Sequence, residues 1–400
     1  MSTIAFINIG MHGYINPTLP LVSELVRRGH RVTYHTSPAF ADRIEATGAQ
    51  VLLYVGSDLA VPDPPIPLAM MKGLGCTAVA LLPGVLADLR AVSPDLVVHG
   101  AACPWGCVAA RQLGVPAAAT FTTFAFNAHT ASPTGLSWQL MKAAVHYPRV
   151  AMQYLQARWK LQRSYHADML PVLDMMNVRG ELNLVFTTPD FQPGGAQFND
   201  SYRFVGACTG SRPVDVGFDA LVHEPPLIYV SLGTVFDAGT SLLHTLAEAL
   251  SPLAGTVVLA AGQTDPGALG PVAQNVIVRR SVPQLQVLKQ AALFVTHGGM
   301  NSVNEAMAAG VPVLVIPQGA DQPMVARRVC DLGAGLALRK EEADAATVQR
   351  LARELLGDSR FKAAAGAQRT SHLLAGGAAR AADEIETLLS RRTPRPAEEW

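Results

Sequence analysis

The stretch "LFVTHGGMNSVNEAMAAGVPVLVIPQGADQ", residues 293 to 322, decides the fold. A short apolar run ends in His297 and a Gly-Gly turn, a helix is expected from about Asn301, and "VPVLVIP" reads as the next strand. A strand that hands over to a helix and then to another strand is one step of a parallel sheet. The turn also has chemistry. The start of a helix exposes unpaired N–H groups and the positive end of the dipole, so an anion is favoured there. Gly298 and Gly299 let the backbone come close, while Ser302 and the His297 ring add donors. One turn along, Glu305 can accept hydrogen bonds from a diol such as a ribose. A second reading needs no ligand: Ser302-x-x-Glu305 has the spacing of a capping box, which stabilises a helix start by itself.

Outward from this stretch the same alternation continues. "IAFINI", "RVTYHT", "DLVVHG", "PAAATFT" and "LNLVFTT" read as strands in the first half, and "LIYVSLG", "TVVLAAG" and "NVIVRR" join the two above in the second. Helix-period segments separate them, so parallel sheets with helices on both faces are expected. Four hundred residues exceed one ordinary core, which predicts two domains of about 200 residues each. The Gly- and Pro-rich run at 206 to 226 is the expected boundary. The expected layout is 1–212 and 226–380, with 381–400 a C-terminal helix and tail. Two doubly wound, Rossmann-like domains facing each other would leave a cleft at the carboxyl ends of their strands, where ligands bind. The segment from about 130 to 175 is helical and rich in Met, Trp and Tyr. It reads as an insertion lining a pocket, or as ordinary packing.

Composition narrows the partners. Lys+Arg and Asp+Glu balance at 31 each, so no net field draws the chain to nucleic acid or to an anionic surface. Five scattered cysteines fit reduced thiols in a cytoplasm better than a disulfide framework. Cys103 and Cys107 lack a second Cys/His pair nearby, so no metal site is expected. "MSTIAF" carries no basic region ahead of its apolar run, and the apolar stretch near "CTAVALLPGVLADL" is too short and interrupted to span a bilayer. The expected partner is a small molecule.

The second-half motif resembles the nucleotide-sugar signature of the family-one GT-B glycosyltransferases, in particular the bacterial macrolide enzymes. "VPQ" (Val282 to Gln284), "HGG-NS--E" (His297 to Glu305), "GVP" (Gly310 to Pro312) and "P---DQ" (Pro317 to Gln322) stand in the family's order. "VSLGT", residues 230 to 234, is similar to the turn around Gly233 that opens its second domain, and "RRGHRVTYHTSPAFADRIEATGAQVLLY" and "PDLVV" look like its first. The resemblance implies a UDP- or dTDP-sugar as co-substrate, no metal and no other cofactor. It implies that His297 meets the diphosphate with Ser231, Thr234, Gly299, Asn301 and Ser302, and that Glu305 holds the ribose. Asp321 and Gln322 would hold donor-sugar hydroxyls, and Arg280, Gln284 and the backbone of Val282 would flank the base. Ser281 departs from the pattern, because the family has an aromatic there that stacks on the base.

A larger departure lies in the first loop. Inverting transfer to an alcohol needs a base for the acceptor hydroxyl, worth roughly 10²–10⁴-fold. The resemblance implies a histidine in "GH-NP" and an orienting aspartate at the end of a later strand, a base-plus-orienter pair. This chain has "GYINP" and "VVHGAACPWG", which place Tyr14 and Gly100 at those positions. His12, in the same loop, is a candidate replacement base. His99 should point away from where the aspartate would project. Tyr14, with an ordinary phenol pKa near 10, is a poor base.

Two readings follow. One is an inverting, metal-independent hexosyltransferase acting on a hydrophobic natural-product acceptor, such as a carboxylate, thiol, enol or acidic phenol, that needs no dyad. The other is a relative that no longer transfers sugar and serves as a repurposed enzyme or binding partner. Phe121, Phe124, Phe126, Trp138 and Met141 are the candidate acceptor contacts. Tyr14→His made together with Gly100→Asp should restore transfer to alcohols.

Overall fold

The computed structural model describes residues 1–56, 66–127, 130, 133–168, 170–171, 175–210, 218, 224–233 and 239–391, without the side chains of 133–139. The chain divides into two units, Met1–Gly210 with Gly376–Trp400, and Ser211–Ala375.

The first unit holds seven strands, β1 (Thr3–Ile7), β2 (Arg31–Thr36), β3 (Gln50–Leu53), β4 (Leu96–Gly100), β5 (Ala117–Phe121), β6 (Leu182–Val185) and β7 (Tyr202–Phe204). They lie in the order β3-β2-β1-β4-β5-β6-β7, and every pair is parallel. Central strands of such a sheet are covered on both faces, so their runs are continuously apolar rather than alternating. The burial of Ile4 through Ile7 and of Leu96 through Val98 shows this directly.

The helix Pro67–Val92 sends Leu74, Ala78, Leu82, Val85 and Leu89 into the core against Ile7 and Val97. Contrary to the expectation that this stretch is too short and interrupted, the helix runs unbroken through Pro83 and is the one described helix long and apolar enough to cross a membrane, with half of its apolar stretch packed inside the unit. The helix Pro148–Tyr165 buries Tyr154 and Leu161 in the same cluster of side chains, and Ala157 is buried beside them on the helix. That inner face of the Met-, Trp- and Tyr-rich segment is therefore packing.

The second unit holds β8 (Leu227–Ser231), β9 (Thr256–Ala260), β10 (Val276–Arg279), β11 (Ala291–Thr296), β12 (Val313–Val315) and β13 (Gly335–Ala337). Their order is β10-β9-β8-β11-β12-β13, again wholly parallel. Both sheets are thus doubly wound in the Rossmann sense, as the strand–helix alternation predicts. Three strands escaped the pattern reading: β3, β7 and β13. All three are edges, and edge strands are short and half-exposed, so they carry no continuous apolar run to announce them.

The last helix, Gly377–Ser390, returns to the first unit. Ala381, Ala382 and Ile385 are fully buried with Leu21, Val22 and Leu25. Arg28 fastens it, with Nη1 2.7 Å from both Asp383 Oδ1 and Glu386 Oε2 and Nη2 3.1 Å from the Ala379 carbonyl.

Candidate active site

In a doubly wound sheet the ligand crevice opens where the order of strands reverses, at their carboxyl ends. In the second unit that point lies between β8 and β11. Ser231 ends β8 and His297 follows β11, so the sheet itself brings these two predicted residues together. The His297 ring bonds to the Ser231 backbone. Its Nδ1 is 3.4 Å from Thr296 Oγ1. The glycines on either side are required by close approach, since a Cβ at Gly233 or Gly299 would lie 2.8 or 2.4 Å from Nε2. Burial pushes the imidazole pKa down to about 4, against the raising effect of the Ser231 bond, so the ring is neutral at pH 7.

The helix that follows is Met300–Ala309, and Gly299 caps it without a side-chain hydrogen bond. Ser302 therefore sits inside the first turn rather than at its cap, and the capping-box reading does not describe this helix start. Glu305 is turned elsewhere. Gln284 Nε2 donates to Glu305 Oε2 at 2.7 Å and reaches Ser302 Oγ at 3.4 Å, while Gln284 Oε1 accepts from the Tyr229 hydroxyl at 3.1 Å. The resemblance gives Gln284 and Glu305 to base and ribose separately, and the structure joins them. Tyr229 is an addition of the fold, and its only signal in the sequence is a hydroxyl-bearing ring in the otherwise aliphatic "LIYV" of a central strand.

Asn301 stands half-buried in the first turn beside Met300. Gln322 opens the helix Gln322–Asp331, and its Oε1 accepts the N–H groups of Gln318 and Gly319 at 2.7 and 3.1 Å. That clamp shapes the loop carrying Asp321, whose carboxyl is pushed up by burial. Arg280 and Ser281 are exposed and Val282 half-buried on the link from β10 to the helix Gln284–Leu288. Thr234 lies outside the described residues.

In the first unit the reversal lies between β1 and β4. Gly100 ends β4, and Tyr14 lies in a single turn, His12–Ile15, packed against the cluster that holds Trp105. His12 is exposed; its ring meets Phe40 edge-on at 4.9 Å, and its Nδ1 is 3.2 Å from Arg43 Nη1. Partial burial and the Arg43 charge lower its pKa. His99 is wholly buried with Nδ1 2.9 Å from the Gly100 carbonyl, and burial holds it at about 4, so it is a neutral core group.

The family described as "Erythromycin biosynthesis protein CIII-like, C-terminal domain" matches residues 244–386. An NDP-glycosyltransferase, YjiC, of Bacillus subtilis (strain 168) is 32% identical, with 97% of each chain covered. The oleandomycin glycosyltransferase of Streptomyces antibioticus is 33% identical over 98% of this chain and 92% of its own. The crystal structure of CalG4, the calicheamicin glycosyltransferase, superimposes with a TM-score of 0.83 at 32% identity, covering 98% of this chain and 100% of that one. The chain belongs to the macrolide-type GT-B glycosyltransferases.

Within this glycosyltransferase the candidate acceptor residues differ in exposure. Phe121 and Phe124 are buried, the first 5.9 Å from Tyr202 and the second stacked 5.9 Å from Phe191, so both rings serve the core. Phe126 is half-buried and its carbonyl accepts from Asn177 and Arg179 at 2.9 Å each. Met141 is exposed on the helix Pro133–His146, and the Trp138 side chain lies outside the described residues. Among the described residues no group of three or more His, Cys, Asp or Glu side chains is placed to hold a metal ion.

Proposed function

We propose that this glycosyltransferase moves a hexose from a UDP- or dTDP-sugar to a hydrophobic small molecule whose nucleophile is already ionised, or nearly so, at neutral pH. The acceptor oxygen or sulfur would form the new bond to the anomeric carbon as the bond to the diphosphate breaks, with inversion, and the nucleoside diphosphate would leave. The observation that carries this reading is an asymmetry. The β8–β11 crevice keeps a connected set of donor groups, while the β1–β4 crevice lacks both halves of a base pair at Tyr14 and Gly100.

In this reading the start of Met300–Ala309, where Gly299 brings no side chain to the cap, meets the diphosphate with His297, Ser302, Asn301, Gly299 and Ser231. Thr234 joins them in the resemblance. Helix dipole and side-chain donors would offset the phosphate charge, so no metal ion is invoked. Glu305, already tied to Gln284, would exchange that bond for the ribose hydroxyls. Asp321 and Gln322 would hold sugar hydroxyls, and Arg280, Ser281 and Val282 would line the base. The free cysteines fit a reducing, cytoplasmic setting.

Calorimetry with UDP, dTDP, UDP-glucose and a dTDP-hexose tests the reading. At least one should bind, and Glu305→Ala should weaken it by roughly 10- to 100-fold, the worth of a hydrogen bond to a charged group. Transfer should be seen to an acidic phenol or thiol and not to a simple aliphatic alcohol. Binding of none of the four nucleotides would sink the reading and favour a relative that no longer transfers sugar.

A further inference from the structure

The packing of the Met-, Trp- and Tyr-rich segment uses only half of its apolar side chains. The helix Pro67–Val92 covers the first sheet, and the helix Pro148–Tyr165 lies on that helix in turn. Ala157 comes so near Gly75 that a Cβ built there would lie 3.2 Å from its own. Tyr154, Ala157 and Leu161 thus face inward. Met152, Leu155 and Trp159 stand on the opposite side and are 58, 60 and 61% exposed. Their spacing of three and then four residues puts them in one stripe along the helix. Single apolar residues on a surface are ordinary, but a stripe on an outer layer marks an interaction face.

The charge beside this stripe has one sign. No Asp or Glu stands between Asp95 and Asp168, whereas Arg149, Arg158, Lys160 and Arg163 all lie on the helix. Arg149 and Lys160 are exposed, and among the described residues neither forms an ion pair. The Arg163 guanidinium sits over the Trp159 ring, 5.6 Å from its centre, which sets a cation against the stripe itself. Arg158 is turned to the Leu170 and Pro171 carbonyls at 3.1 and 3.2 Å. Asp168, the first acid beyond the helix, is held by Gln162 at 2.9 Å and lies 3.5 Å from Arg111. The balance of charge over the whole chain hides this local excess.

We propose that the outer face of Pro148–Tyr165 docks on the surface of an anionic phospholipid bilayer, with Met152, Leu155 and Trp159 at the acyl boundary and Arg149, Lys160 and Arg163 among the phosphates. Both kinds of side chain suit that layer. An indole puts its apolar body into the boundary, and a long cationic side chain keeps its head in the polar zone. The contact is peripheral, since one helix lies in the interface and nothing spans the bilayer. A second copy of the chain fits this face poorly, because pairing it with itself would set like charges together. Neither crevice takes part, so the docking face stands apart from the glycosyl-transfer reading.

Co-sedimentation of the full chain with vesicles tests this, comparing phosphatidylcholine alone with phosphatidylcholine carrying about 30% phosphatidylglycerol, in about 50 mM salt. Partitioning into the mixed vesicles should be at least about ten-fold stronger and should fall at least about five-fold in 0.5 M salt, roughly the range where surface charge is screened. Leu155→Ser with Trp159→Ser should weaken it by at least about ten-fold, as should Arg149→Glu with Lys160→Glu. Arg350→Glu, at an exposed arginine of the second unit, should leave it unchanged. No partitioning, equal partitioning into both kinds of vesicle, or an Arg350→Glu loss as large as that of the face variants would overturn the proposal. Should the face variants fail to fold, hydrogen exchange on the native chain decides. Mixed vesicles should slow exchange in residues 148–165 and not in 345–357, and slowing that spares 148–165 would overturn it. Self-association by light scattering that disappears with Leu155→Ser and Trp159→Ser would give the face to a second copy and overturn it too.

Discussion

His297 is neutral in the free protein because burial holds its pKa at about 4, well below the ordinary imidazole value. A diphosphate placed against it would favour the charged ring and raise that pKa. Binding should therefore take up a proton in the window between about 4 and the raised value, and affinity should grow as pH falls through that window. Calorimetry of UDP in buffers of different ionisation enthalpy measures the uptake, and His297→Asn removes the ring's share while leaving that of the phosphate. Identical proton uptake in the two proteins would contradict the assignment. At this scale the sequence was a mixed guide. His297, Ser231, Gln284 and Glu305 stand out because they fall within short motifs, and the fold brings His297 to Ser231 and Gln284 to Glu305. His12 and His99 drew notice only as histidines, and the structure commits them to Arg43 and to the core. The close approach of Asn8 to Gly100 was invisible, since it spans 92 positions of chain and only the β1–β4 pairing creates it.

At the scale of elements, the helix Gly377–Ser390 closes one face of the first unit rather than hanging free as a tail. Ile385 is fully buried there, so Ile385→Asp would bury an unpaired charge and should cost at least about 3 kcal/mol in urea unfolding. Leu374→Ala, at an exposed side chain just before this helix, should change stability by no more than about 0.5 kcal/mol. Similar losses for the two would mean that the helix contributes no core. The apolar periodicity of this segment is plain in the sequence, but periodicity names a face and not its partner. The same limit explains the edge strands β3, β7 and β13. Half their surface is open, so burial never imposed an unbroken apolar run on them.

For the whole molecule, each unit has its own sheet and its own core. A fragment of residues 211–375 should fold and bind UDP or dTDP within about ten-fold of the full chain, as the groups proposed to hold the nucleotide sugar all lie in that unit. A fragment of residues 1–210 lacks the returning helix and should show no cooperative unfolding transition by circular dichroism unless 376–400 is supplied. Nucleotide binding that vanishes in the folded 211–375 fragment would mean the first unit supplies an essential donor contact. Local pattern was enough for the doubly wound class, the parallel sheets and the family, because each is written in runs of fewer than about thirty residues where hydrophobic period, glycines and polar groups act together. Whether Glu305 caps its own helix or pairs with Gln284, whether Phe121 faces a ligand or Tyr202, and which side chain approaches Gly100 depend on which distant strands become neighbours. Burial and hydrogen bonding settle those pairings only once the sheets have closed, so no stretch of the chain read alone contains them.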